Sequence, residues 1–98
     1  MATADLTVIP LGTEGSAAPA IAEMQRLLAA QDRVAYRLHA MGTSLEGSTE
    51  DVLAVVAELH AVPFSLGAPR VYTVLKLDDR HDREQTLEDK VASVERLL

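Results

Sequence analysis

The chain has 98 residues, of which 48% are hydrophobic and only 3% aromatic, so its composition is that of one small globular domain with an aliphatic core. A formal net charge of -6 argues against binding to a nucleic-acid backbone and fits a soluble cytoplasmic protein. The chain has no cysteine, which excludes disulfides and cysteine-type zinc sites, and no apolar run is long enough to predict a membrane span.

The first half of the chain predicts a strand, a helix and a second strand. Residues 5–11, DLTVIPL, are β-rich and partly alternating, and Pro10 is expected at an edge or a bulge because it has no N–H to donate. A helix is expected from a Ser16 N-cap to about Gln31, with apolar residues spaced along one face. Residues 34–41, VAYRLHAM, alternate with the period of a half-buried strand.

The second half begins with a turn and a short strand over residues 42–47, GTSLEG. A helix is expected over about 49–62, with Pro63 as its terminator. Residues 70–79, RVYTVLKLDD, predict a strong final strand.

A last helix is expected after Thr86 and Asp89, which are spaced as a capping box. The order β-α-β-β-α-β plus a terminal helix predicts an α+β, ferredoxin-like sandwich with an antiparallel four-stranded sheet. We expect a single domain over residues 1–98, with helices on one sheet face and the other face open.

Strand alternation assigns side chains to the two faces of the sheet. Tyr36, Leu38 and Leu45 are expected to point toward the helices. In the first strand the pattern does not decide whether the even-numbered or the odd-numbered residues do so. The predicted open face mixes apolar and ionic groups: Met41, Val74, Arg37, His39, Ser44, Glu46 and Lys76. Such a mixture favours a surface used for association, with a polar pocket at its edge.

Glu46 is the most suggestive ionic group of this face. Its carboxylate is suited to accept hydrogen bonds from an aminopyrimidine, because both groups are planar and bidentate. The alternative is a surface glutamate, or an ion pair with Lys76 across the sheet.

Other motifs favour structural roles. The loop GTEGS (12–16) is a turn with an N-cap, and the run DDRHDR (78–83) is a charge-paired loop rather than a metal site. No nucleophile and base are spaced as in a known catalytic motif, so we expect neither an enzyme nor a cofactor.

The segments VIPLGT, MGTSLEG, VYTVLKLDDR and TLEDKV, in this order, resemble the small thiamine-binding-protein family, the YkoF-like group of ferredoxin-like proteins. The resemblance implies dimers or tetramers formed through the sheets. It also implies non-catalytic binding of thiamine or its hydroxymethylpyrimidine moiety, with Glu46 orienting the aminopyrimidine, Thr43 or Ser44 supplying a hydroxyl, and Met41 packing on the ring. The implied ligand-binding residues are Thr7, Met41, Thr43, Ser44, Glu46, Lys76 and Asp78.

Two rival hypotheses remain at this point. The first is a structural or regulatory oligomer whose open face buries itself without a small ligand. The second is an enzyme of ferredoxin-like type in which His39 is a base and Glu46 its partner.

Overall fold

Four strands and three helices alternate in the computed structural model of the protein, which describes residues 1–98. Their bounds are β1 (Ala2–Leu11), α1 (Ala18–Ala29), β2 (Ala35–His39), β3 (Gly42–Gly47), α2 (Thr49–Ser65), β4 (Arg70–Asp79) and α3 (Leu87–Glu95). The strands form one antiparallel sheet in the order β2-β3-β1-β4. This is the predicted ferredoxin-like fold with an extra C-terminal helix. None of the three helices is long and apolar enough to cross a membrane.

The core lies between one face of the sheet and the helices α1 and α2. Alternate residues of β1, including Leu6 and Val8, point into it, which settles the orientation that the pattern left open. Thr7 and Ile9 therefore lie on the opposite face. The largest fully buried side chains are Leu28, Leu45, Leu59, Val52, Val55 and Pro63.

β1 is longer than its sequence predicts, because it begins at Ala2 rather than at Asp5. Ala2 pairs with Gly47 on one side and with Asp79 on the other, so ladders on both sides hold residues that have little strand preference of their own. Pro10 agrees with its expected edge position, since β3 reaches β1 only as far as Leu6 and Pro10 pairs only with β4.

The expected end of α2 at Pro63 is wrong, because the helix continues to Ser65. Pro63 lies in the last turn, where its ring is buried and the missing N–H removes a single helical bond. Its carbonyl accepts hydrogen bonds from the N–H groups of Leu66 (3.1 Å) and Ala68 (3.0 Å), which close the helix end.

α3 lies against one end of the sheet face opposite α1 and α2. Its N-terminus carries the predicted capping box between Thr86 and Asp89. The Leu87 N–H donates to Glu46 Oε2 (3.4 Å), and a Lys90–Asp78 ion pair ties the helix to β4. Thr3, on the same face, is only 5% exposed as a result. The expectation of a wholly open face is therefore wrong at this end.

Candidate functional site

The most enclosed concavity of the molecule lies at the edge of the sheet, between α1, β1 and the turn that joins β2 to β3. We call it the edge cavity; its volume is about 230 Å³, and its apolar lining includes Ile21, Met24, Leu38 and Met41. The cavity begins where β3 ends its pairing with β1 at the Leu6–Thr43 pair. Beyond that pair the hairpin turn touches β1 through Thr7 instead of through the ladder, and residues of α1 line the opposite side.

Few polar side chains line the edge cavity. On its inner side, Gln25 Nε2 of α1 donates to Thr43 Oγ1 of β3 (3.1 Å). On its hairpin side, Thr7 Oγ1 donates to the Met41 carbonyl oxygen (3.0 Å). An apolar concavity with a small number of placed polar groups is the usual form of a small-molecule site.

His39 lines the cavity at the end of β2. Its Nε2 lies 2.9 Å from Asp5 Oδ1, and its Nδ1 accepts a hydrogen bond from the Met41 N–H (3.4 Å). The carboxylate partner of His39 is thus Asp5 and not Glu46. In the hairpin register His39 pairs with Gly42 whereas Glu46 pairs with Ala35, at the far end of both strands. The predicted catalytic pairing of His39 with Glu46 is therefore wrong.

The hairpin turn fixes one wall of the cavity. Two-residue hairpin loops usually need positive φ values, but neither Ala40 nor Met41 has one. The hydrogen bonds from Thr7 to the Met41 carbonyl and from the Met41 N–H to His39 hold the turn instead. Gly42 lets the turn approach β1 closely, because a Cβ there would lie 2.5 Å from the Leu6 carbonyl oxygen.

A second concavity, which we call the charged groove, lies on the opposite sheet face beside α3. Its volume is about 270 Å³. Its charged and polar lining residues are Thr3, Asp5, Ser44, Lys76, Asp78 and Lys90. The groove is wider and more polar than the edge cavity, and the Lys90–Asp78 ion pair closes one side of it.

The structure separates the predicted ligand-binding residues into two groups. Thr7, Met41 and Thr43 line the edge cavity. Ser44, Lys76 and Asp78 line the charged groove. Thr43 points toward the helices and is only 7% exposed, so these residues do not all lie on the open face of the sheet.

Glu46 is occupied with the protein's own backbone. Its carboxylate accepts the hydrogen bond of Leu87 at the start of α3, where the helix dipole favours a negative charge. It forms no ion pair with Lys76, whose neighbour in the backbone ladder between β1 and β4 is Asp5. The cross-strand alternative therefore does not describe the contacts of Glu46 in this structure.

Gln25 is the polar cavity residue that the sequence reasoning missed. Its spacing from Ile21 and Leu28 places it on the apolar face of α1, where an amide has no evident structural purpose. A polar residue within an apolar helical face was the signal that could have identified it.

The DDRHDR loop forms the expected self-paired charge cluster. The Arg80 guanidinium bonds both carboxylate oxygens of Asp82 (2.6 and 2.9 Å) and lowers the pKa of Asp82 to about 2. Hydrogen bonds from Thr49 and His81 lower the pKa of Asp79 below its ordinary value, and the one from Thr49 has the larger effect. No three or more histidine and carboxylate side chains converge in a metal-binding arrangement.

Comparison with known proteins agrees with this architecture. The sequence model of the family described as thiamine-binding protein matches residues 4–95. The UPF0045 protein YqgV of Bacillus subtilis is 41% identical over 102 aligned residues, which cover 100% of this chain and 98% of the relative. A UPF0045 protein of Methanothermobacter thermautotrophicus is 40% identical over 96% of each chain.

Two crystal structures share the fold. The protein MJ1052 of Methanocaldococcus jannaschii superposes with a TM-score of 0.85 at 30% identity, over 96% of this chain and 95% of the other. TM0486 of Thermotoga maritima superposes with a TM-score of 0.79 at 22% identity, over 95% of this chain and 97% of the other.

Proposed function

The chain belongs to the thiamine-binding protein family, and we propose that it is a cytoplasmic, non-enzymatic binding protein for thiamine or its hydroxymethylpyrimidine moiety. The observation that carries the proposal is the edge cavity, an apolar concavity with a few placed polar groups in a chain of this family. The seven predicted residues are revised accordingly. Thr7, Met41 and Thr43 remain in the proposed site, whereas the four around the charged groove and α3 leave it.

The size of the cavity favours one ring of the ligand. Sites for drug-sized molecules usually have volumes of about 300–1,000 Å³. A cavity of about 230 Å³ is better matched to a substituted pyrimidine than to both rings of thiamine. The thiazolium ring then extends past His39 toward Asp5, whose carboxylate is a suitable neighbour for a cation.

The direct test is isothermal titration calorimetry with thiamine and with hydroxymethylpyrimidine. Both compounds should bind the unmodified protein, and heat-free titrations of both would refute the proposal and favour the rival of an oligomer without a small ligand.

A matched pair of variants tests the location of the site. Leu38→Trp adds bulk at the lining of the edge cavity and should abolish binding. Leu53→Trp adds the same bulk at an exposed position of α2 that lines no cavity, and should leave binding unchanged. Equal binding by both variants would place the site elsewhere.

The assembly that accompanies this function is a homodimer that pairs through β4, and two such dimers stack through their sheet faces to form a homotetramer. β4 is an edge strand of ten residues that pairs only with β1. Long exposed edges readily pair with a second chain. A two-fold axis beside Val74 would set Tyr72 opposite Lys76 and Arg70 opposite Asp78, so that the opposite charges of Arg70 and Asp78 meet on one face.

The exposed apolar groups support the same assembly. Ile9, Tyr72 and Val74 form a patch on the sheet face that α3 leaves uncovered. Val91 and Val94 of α3 are also more than half exposed, at 56% and 59%. Pairing through β4 joins two four-stranded sheets into one sheet of eight strands. Stacking two such sheets on these apolar groups would bury them and give a tetramer.

The assembly is tested by light scattering after size-exclusion chromatography. Val74→Arg would place two arginines opposite each other at the proposed axis and should yield a monomer. Leu53→Arg, at the exposed position of α2, is the matched control and should keep the mass of the unmodified protein. A Val74→Arg variant of unchanged oligomeric mass would refute pairing through β4.

A further inference from the structure

We propose that the side-chain amide of Gln25, positioned by Thr43, recognises the amino-substituted edge of a pyrimidine in the edge cavity. The inference rests on the proposed function and adds to it the residue that sets ligand specificity.

Gln25 is held at the boundary between the core and the cavity. It lies on α1 between Met24, which is buried, and Arg26, which is exposed, and its own side chain is half-buried. The hydrogen bond to Thr43 Oγ1 (3.1 Å) crosses from the helix to β3. Since Thr43 is only 7% exposed, this contact restrains the amide in a largely dry environment.

The contact with Thr43 leaves most of the amide's hydrogen-bonding capacity unused. An amide group has two N–H donors and an oxygen that accepts two hydrogen bonds. The Thr43 hydroxyl takes one N–H, and no protein group donates to the Gln25 oxygen. The oxygen is not sealed in the core, because every buried side-chain polar atom of the protein has a partner. One acceptor and one donor therefore remain on a side chain that lines the cavity.

The remaining amide groups match the chemistry of an aminopyrimidine. Such a ring presents an amino N–H beside a ring nitrogen, which is a donor next to an acceptor. A glutamine amide presents the complementary pair, as in the bidentate recognition of adenine by glutamine or asparagine. The amide oxygen would accept from the exocyclic amino group while the amide N–H donates to the ring nitrogen.

The polar side chains of Thr7 and His39 in the cavity are already engaged. The Thr7 hydroxyl donates to the Met41 carbonyl, and both ring nitrogens of His39 have protein partners. Gln25 is thus the cavity side chain best able to offer a donor and an acceptor together. The apolar lining residues Met24 and Leu38 supply surface against which a ring packs.

The experiment compares two probes on the same protein by calorimetry. One probe is 4-amino-5-hydroxymethyl-2-methylpyrimidine, and the other is the same compound without the amino group. The unmodified protein should prefer the amino compound by about 10-fold to 100-fold, which is the discrimination typical of a bidentate contact. In Gln25→Met, which keeps the length of the side chain but removes the amide, the two probes should bind within about 2-fold of each other.

Two further variants separate recognition from a structural effect. Thr43→Val keeps the shape of the anchor but removes its hydroxyl, so the preference for the amino compound should fall while the apolar part of binding is retained. Arg26→Met, at the exposed neighbouring position of α1, should keep the full preference. Circular dichroism of each variant checks that the fold is intact.

The outcomes distinguish this inference from the proposed function. If the unmodified protein binds neither probe nor thiamine, the proposed function fails and this inference fails with it. If it binds the amino compound but shows no preference over the other probe, or if Gln25→Met keeps the preference, the inference is refuted while the proposed function stands. If Gln25→Met fails to fold, Thr43→Val decides in the same way, because an unchanged preference in that variant refutes the positioning of the amide.

Discussion

Gly42 is the position where a single added methyl group tests the construction of the edge cavity. A Cβ at Gly42 would lie 2.5 Å from the Leu6 carbonyl oxygen and 3.0 Å from Thr7 Oγ1. The backbone of β1 cannot move without breaking its ladder to β4, so in Gly42→Ala the hairpin turn must move away from β1. The φ angle of Gly42 is not positive, and the cost is therefore one of space rather than of backbone conformation.

The expected cost of Gly42→Ala follows from two contributions. Forcing a methyl group into a filled space costs about 1–3 kcal/mol. Displacement of the turn also breaks the hydrogen bond from Thr7 to the Met41 carbonyl, a loss of about 1 kcal/mol. We expect the free energy of unfolding to fall by about 2–4 kcal/mol in total.

Urea denaturation followed by circular dichroism measures this change, and calorimetry with hydroxymethylpyrimidine measures its effect on binding. Gly15→Ala is the matched control, since a Cβ there meets no atom within 4 Å but the φ angle is +85°. The control should lose about 1–2 kcal/mol from backbone strain and bind normally. A Gly42→Ala protein within about 0.5 kcal/mol of the unmodified one would refute the close approach of the hairpin to β1.

Two further predictions concern the attachment of α3. Glu46→Gln should weaken the hydrogen bond from the Leu87 N–H and so increase amide hydrogen exchange in α3. The affinity for hydroxymethylpyrimidine should stay within about 2-fold of that of the unmodified protein. A loss of binding with unchanged hydrogen exchange would return Glu46 to the ligand site. Two hydrogen bonds from Thr86 lower the pKa of Asp89 below its ordinary value of 3.8, and the backbone one has a larger effect than the side-chain one. The stabilisation by Asp89 is therefore fully present above about pH 3.8 and is lost as the pH falls through the lowered pKa. Helicity measured by circular dichroism from pH 5 to pH 2 should fall less steeply in Asp89→Asn than in the unmodified protein, and identical curves would contradict this role of the capping box.

The order of the elements was predictable from local patterns, whereas their exact ends were not. Alternation in β4 and the capping box of α3 are properties of neighbouring residues, and the structure confirms them. The half-buried strand predicted for β2 is wrong, because all five of its residues, including Tyr36 and Leu38, are exposed at the sheet edge. The start of β1 at Ala2 depends on ladders to two distant strands. The continuation of α2 past Pro63 depends on the burial of its ring and on hydrogen bonds from the following loop.

The candidate site was less predictable because it depends on where whole elements end. Alternation already implied that Thr43 and Ser44 point in opposite directions, so one site could not include both side chains. The position of α3 on the sheet, which engages Glu46, is not encoded in any local pattern. The edge cavity arises from the unequal lengths of β1 and β3, which become visible only after the strands are paired.

The location of the ligand is the central claim, and nuclear magnetic resonance tests it most directly. In a titration of ¹⁵N-labelled protein with hydroxymethylpyrimidine, the largest amide shifts should lie at Thr7, Gln25 and Thr43 around the edge cavity. Shifts centred instead on Ser44 and Lys76 would place the ligand in the charged groove and contradict the account.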